Sequence, residues 1–213
     1  MKIKIIVLAA ATSLVGLTAN AQVSFGICAG VNLQNITGKD ASGSDISNNS
    51  AAMKFNGGLK VHYLFAQDFF IQSGLMFVSK GSKILTANIT LNYLEVPINF
   101  LYKPLLGKGH LILGFGPYMA YGIGGNVKFD GSSSATKVIY KSEETAADTA
   151  SFYFKPFEMG ANMFAGFEFV NKISIQLNAQ LGMTKINPNY PAGSTNKTAI
   201  KNTGFGLSLG YRF

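Results

Sequence analysis

Residues 23–34 alternate without a break, with Val23, Phe25, Ile27, Ala29, Val31 and Leu33 on one side and Ser24, Gly26, Cys28, Gly30, Asn32 and Gln34 on the other. Successive side chains of an extended chain point to opposite faces, so a period of two over a dozen residues specifies a β-strand with one apolar face. The design recurs with Phe55, Gly57, Leu59, Val61, Tyr63 and Phe65 set against Lys54, Asn56, Gly58, Lys60 and His62. It returns with Ile173, Ile175, Leu177, Ala179, Leu181 and Met183, and again with Phe205, Leu207, Leu209, Tyr211 and Phe213. Four further segments carry the pattern less cleanly, at about Phe69 to Lys80, Ile89 to Lys103, His110 to Gly125 and Phe152 to Val170.

Charge placement decides which face meets which solvent. Lys54, Lys60, Glu158, Glu168 and Arg212 all fall on the glycine-bearing face, and the opposite face of these strands carries none. A soluble, lipocalin-like ligand-binding barrel is the alternative, with its apolar face inward, but such a barrel exposes charges freely on its outside. Hydrocarbon requires an apolar face and a sheet with no open edge. The expected fold is therefore all-β: a closed antiparallel up-and-down transmembrane β-barrel of about eight strands, with the polar face lining the lumen. Glycines such as Gly26, Gly30, Gly58, Gly160, Gly166, Gly206 and Gly210 then leave room for larger inward neighbours.

The connections support this topology by alternating in length. Thr37–Ala52, Asn126–Ser151 and Pro188–Ala199 are long and rich in Ser, Asn, Gly and Thr, and Gly81–Asn88 is of medium length. Ala66–Asp68, Leu105–Gly109 and Asn171–Lys172 are short. Outer-membrane barrels have tight periplasmic turns and longer outer loops, which puts both termini on the periplasmic side.

The amino terminus addresses the chain for export. Lys2 and Lys4 precede an apolar run from Ile5 to Leu17, followed by Ala19-Asn20-Ala21. This is the three-part pattern of a cleaved signal peptide, 1–21, leaving a barrel domain at 22–213. The run is shorter than the roughly 20 residues of a membrane-spanning helix.

Other functions have little to stand on. Formal charge is +8, but the basic residues are scattered and Arg212 is the one arginine, which leaves almost no bidentate donors for phosphates or bases; nucleic acid is not an expected partner. The single cysteine, Cys28, excludes an internal disulfide, and the two histidines, His62 and His110, have no cluster of further ligands, so neither metal nor cofactor is expected. No serine has a base and an orienting group nominated beside it, so the chain is not expected to be an enzyme. Gly114-Phe115-Gly116 continues into Pro117-Tyr118 with no helix, unlike a dinucleotide loop.

Leu91-Asn92-Tyr93-Leu94-Glu95-Val96-Pro97-Ile98-Asn99-Phe100, Gly114-Phe115-Gly116-Pro117-Tyr118, Gln180-Leu181-Gly182-Met183-Thr184-Lys185-Ile186 and the terminal Gly210-Tyr211-Arg212-Phe213 occur in that order. Together these resemble the PorT-like outer-membrane β-barrel family of Bacteroidetes, over the whole of 22–213. The resemblance implies the barrel, the outer membrane and recognition of the last strand, ending in Phe213, by the outer-membrane assembly machinery. It does not carry an activity, because such a family is defined by its barrel.

Two functional classes remain open. One is a structural or surface-interaction barrel whose loops Thr37–Ala52 and Asn126–Ser151 touch protein partners. The other is a small channel or an accessory of envelope transport or protein secretion. Within the lumen Glu95, on the face of Tyr93, Pro97 and Asn99, is expected to join an ionic network with Glu158, Glu168, Lys54, Lys60 and Arg212, because a confined carboxylate needs a cation or several donors. Arg212 is its expected partner, for the two parallel bonds a guanidinium offers.

Overall fold

A computed structural model of the protein describes residues 22–47, 49–145 and 152–213. The expected signal peptide lies outside the described residues. Twelve strands and no helix occur among the described residues. They are β1 (Val23–Lys39), β2 (Asn49–Ala66), β3 (Phe69–Lys80), β4 (Ser82–Ile84), β5 (Ala87–Tyr102), β6 (Leu105–Leu106), β7 (Gly109–Phe129), β8 (Ala135–Tyr140), β9 (Phe152–Phe154), β10 (Phe157–Glu168), β11 (Ile173–Gly182) and β12 (Ala199–Arg212).

The pairings close on themselves. β1 pairs with β2, β2 with β3, β3 with β5, β5 with β7, β7 with β10, β10 with β11, β11 with β12, and β12 returns to β1, every pair antiparallel. Eight long strands thus form an up-and-down barrel without an edge, the condition that hydrocarbon imposes on a sheet. The four short strands sit at its rims. β4 pairs with β2 and β5, β6 with β7, and β8 forms a hairpin with β7 and a parallel pair with β9.

At one end the turns are tight, with Asp68 (φ 63°), Gly107 (φ 62°) and Lys172 (φ 65°) supplying the left-handed residues that such turns need. Both ends of the barrel chain lie there. The Phe213 N–H donates to the Phe25 carbonyl at 2.8 Å, and the Arg212 N–H to that of Lys172 at 3.1 Å.

At the other end the strands run further than the alternation alone suggests. The loop expected at Thr37–Ala52 is shortened by β1, which reaches Lys39, and by β2, which begins at Asn49. The loop expected at Asn126–Ser151 contains the end of β7 and all of β8. Barrel closure supplies each extended residue with a ladder partner, which outweighs its polar composition. The segment expected as one strand from Phe152 to Val170 splits instead at Lys155-Pro156, since proline has no N–H for the ladder. Asp40, in the β1–β2 loop, accepts bonds from the Ser42 hydroxyl at 2.7 Å and from the Ser42 and Ser44 N–H groups; the hydroxyl bond leads in holding its carboxyl below the usual range.

The faces fall as the alternation requires. Ile27, Val31, Leu33, Phe55, Leu59, Leu177, Phe205, Leu207 and Leu209 are exposed outward, while Asn32, Gln34, Lys54, His62, Ser174, Gln176 and Ser208 are buried inward. This excludes the lipocalin-like arrangement, which needs the reverse. Outward rings gather at the tight-turn end, where Phe65, Phe69, Phe100, Tyr102 and Phe115 lie with centroids 4.8–6.3 Å apart, as in the aromatic girdle of an outer-membrane barrel.

Inside, the loop end is apolar. Ile36, Ile89, Leu91, Tyr93, Tyr118, Ala120, Val127, Val138, Phe154 and Ile186 form a buried cluster, joined by the partly buried Tyr140. Two of its rings depend on glycine. A Cβ on Gly122 would lie 2.3 Å from the Tyr140 ring, and one on Gly160 2.6 Å from that of Tyr118.

Candidate functional site

The lumen is the candidate site, because the buried charged side chains Lys54, Lys80, Glu95, Lys103, Glu158 and Glu168 gather there. Strand parity places them: Lys80 on β3, Glu95 on β5, Lys103 just after β5, Glu158 and Glu168 on β10, and Arg212 on β12 all follow the inward period.

Directly beneath the apolar cluster, the Lys80 ammonium lies 3.1 Å from Glu95 Oε2 and 3.1 Å from Glu158 Oε1, with Lys80 and Glu158 side chains wholly buried. Its third face meets the Tyr118 ring, 4.1 Å from the centroid, so a cation with three N–H groups is fully surrounded. One cation faces two carboxylates here, and neutral donors complete the set. Tyr118 Oη donates to Glu158 Oε1 at 2.6 Å, Asn202 Nδ2 to Glu158 Oε2 at 2.7 Å, and Gln180 Nε2 to both oxygens of Glu95 at 2.9 Å. Six strands contribute, so the cluster ties the wall together across its interior.

Below it is a cavity of about 90 Å³, whose lining includes Asn32, Asn56, Lys60, Asn162, Asn178 and Gln180. At roughly 10–15 Å³ of such volume per water, it has room for several. Lys60 donates to Gln176 Oε1 at 3.4 Å and lies 5.7 Å from the Phe164 ring centroid. Beneath the cavity Asn99 donates to Gln72 Oε1 at 2.9 Å. The Gln72 side-chain amide nitrogen is 2.8 Å from His62 Nε2.

At the tight-turn end the ratio inverts. Glu168 Oε2 meets Lys103 Nζ at 2.8 Å, and its Oε1 meets Arg212 Nη2 at 2.7 Å and Nε at 3.1 Å. Arg212 is partly open, with 26% side-chain exposure.

The single network expected from the sequence is therefore two clusters. Glu95 and Glu158 come together through Lys80, and Glu168 joins Arg212. The expected Glu95–Arg212 pair is corrected: Arg212 stands opposite Gly26 at the very end of the barrel, whereas Glu95 is level with Met76 and Ala120, nearer the loops. Lys54 joins neither cluster; it donates to Thr90 Oγ1 at 2.6 Å and Asn88 Oδ1 at 3.2 Å toward the loop end. Lys60 likewise has no carboxylate partner among the described residues. Lys80 and Lys103 were not singled out in the sequence. Both were legible by parity, counting from Gln72 to Lys80 and from Glu95 to Lys103, but they stand at segment ends, and Met76 and Val78 blur the polar face of β3.

No group of three or more His, Cys, Asp or Glu residues able to hold a metal occurs among the described residues. All three luminal carboxylates are engaged by cations. The arrangement ties and fills the barrel.

Comparison with known proteins places this geometry. The protein is similar to the attachment invasion locus protein Ail of Yersinia pestis, at 15% identity and a TM-score of 0.43, over 90% of this chain and 99% of that one. It is similar to Neisserial surface protein A at 10% identity and a TM-score of 0.46, with 90% and 99% covered. It is similar to OprG of Pseudomonas aeruginosa at 14% identity and a TM-score of 0.45, with 90% and 96% covered. No curated protein matches its sequence. The sequence model described as outer membrane protein beta-barrel domain matches residues 18–187, most of the chain. With the closed pairing and the apolar outer face, that match establishes that the chain belongs to this family of outer-membrane β-barrels.

Proposed function

We propose that this protein is a non-conducting barrel whose work lies at its outer surface, as a structural element or as a platform for protein partners at the loops Thr37–Ala52 and Asn126–Ser151. The observation that carries this reading is the filling of the lumen: the ten-residue apolar cluster at the loop end, backed by Lys80 between Glu95 and Glu158. Small eight-stranded barrels have interiors just wide enough for side chains. A hydrated path would have to displace that apolar layer and break two buried ion pairs. The strands and bonded turns at the loop end support a surface role by giving partners a built edge.

Within this reading the chain belongs to the PorT-like branch in Bacteroidetes, is exported by cleavage after Ala21 and is inserted through its last strand, ending in Phe213. It is not an enzyme and takes no cofactor. Planar-bilayer recording tests the central claim, with no unitary conductance expected from the purified barrel. Steady, reproducible channels would favour the second reading, a small pore or transport accessory, for which the 90 Å³ cavity and Lys60 are the specific observations.

A further inference from the structure

The outward face carries a basic patch on one side of the loop-end rim. Phe154 and Ile186 are buried inside, and Asn202 points inward to Glu158; the alternate residues Lys155, Lys185 and Lys201 therefore point out. The backbone brings their segments together. Lys155 N–H donates to the Ile186 carbonyl at 2.7 Å and Ile186 N–H to the Ile200 carbonyl at 2.9 Å. Immediately below on the same face lie exposed Phe157, Met159, Met183 and Phe205.

Their height coincides with a membrane boundary. From Tyr211 in the aromatic end of β12 to Lys201 is ten residues, which at about 3.4 Å per residue and a tilt of about 40° rise roughly 26 Å, the thickness of the apolar band of such a barrel. No carboxylate pairs with these lysines among the described residues; Lys155 Nζ donates instead to Asn189 Oδ1 at 2.8 Å. Glu143 and Glu144 lie on the segment that pairs with Asn189, and Asp40 and Asp45 lie in the β1–β2 loop, none in a salt bridge with the three. The opposite side differs. There Lys83 is tied to Asp130 at 2.7 Å, and Lys54 is buried and donates to Thr90 Oγ1 and Asn88 Oδ1.

We propose that Lys155, Lys185 and Lys201 form a docking surface for a phosphorylated lipid of the outer leaflet, whose phosphate meets the three ammonium groups while its acyl chains lie along Phe157, Met159 and Met183. Charge complementarity selects this occupant. Lysine acts as a point charge for phosphate, and a cation at the interface adds affinity for anionic lipid.

The test reconstitutes the purified barrel in phosphatidylcholine vesicles with trace spin-labelled phosphatidic acid or spin-labelled phosphatidylcholine, and reads the motionally restricted fraction of each by electron paramagnetic resonance. The protein is expected to prefer phosphatidic acid by about fivefold, the order of one effective lysine contact. The triple variant Lys155→Gln, Lys185→Gln, Lys201→Gln should lose at least half of that preference while keeping its heat-dependent mobility shift. A second triple variant, Lys83→Gln, Lys128→Gln, Lys137→Gln, should keep it. Lys108 and Lys172, at the tight-turn end, are unchanged in both and contribute a constant background. Absence of any preference, its full retention in the first variant, or its loss in the second would each overturn the assignment.

Discussion

The two luminal clusters are inversions of each other. Near the loops one cation serves two carboxylates, in a layer with Lys80 and Glu158 fully buried. At the tight-turn end one carboxylate serves two cations, one of them partly open. With one cation for two carboxylates, the cluster near the loops draws on neutral donors from Tyr118, Asn202 and Gln180 to hold its excess negative charge. At the tight-turn end Glu168 is as buried as Glu95, but two cations meet it, and no comparable shell of neutral donors surrounds it. The ratio of cations to carboxylates decides how many neutral donors each cluster draws on.

The comparison breaks most decisively at Lys80. Lys80→Met leaves two carboxylates facing each other with no cation, and should lower unfolding stability in lipid vesicles by about 3–5 kcal/mol, measured by urea titration. A loss under 1 kcal/mol would mean that the layer is wetter than its burial implies. A lysine without any carboxylate sharpens the point. Leu207→Lys, outward near mid-height, should cost about 2–4 kcal/mol in the same titration, and Ser208→Lys, inward at the polar cavity, less. Reversal of that order would reverse the faces. At the tight-turn end Arg212→Gln should cost only about 1–2 kcal/mol, since Lys103 still neutralises Glu168 and the Arg212 side chain is itself partly exposed. The smallest effect is a coupling. A double-mutant cycle between Glu95→Gln and Arg212→Gln should be additive within about 0.5 kcal/mol, whereas one between Glu168→Gln and Arg212→Gln should not, because only the second pair meets.

Much of the barrel was legible in advance because a period of two needs no partner to be read. Val23 to Gln34 and Phe205 to Phe213 announce both faces, and Lys54, Glu158 and Arg212 show which one is kept from lipid. The extended rims were less so, because β7 beyond Gly125 and β8 are short runs on either side of the loop-like Asp130-Gly131-Ser132-Ser133-Ser134 and become strands through pairing. The ion pairs were least legible. Glu95 is buried beside Lys80, and which cation it meets depends on its height in the barrel.

The sequence by itself determined the eight long strands and their facing, since lipid tolerates only an apolar face and that constraint acts on each strand separately, and closure follows because lipid tolerates no sheet edge. Tertiary structure alone decided that Lys80 bridges Glu95 and Glu158, that Arg212 is left to Glu168, and that Tyr140, Phe154 and Ile186 fold into the mouth. Those ion pairs join residues on different strands, up to 78 positions apart. They depend on the register of every intervening strand, and no local pattern records that sum.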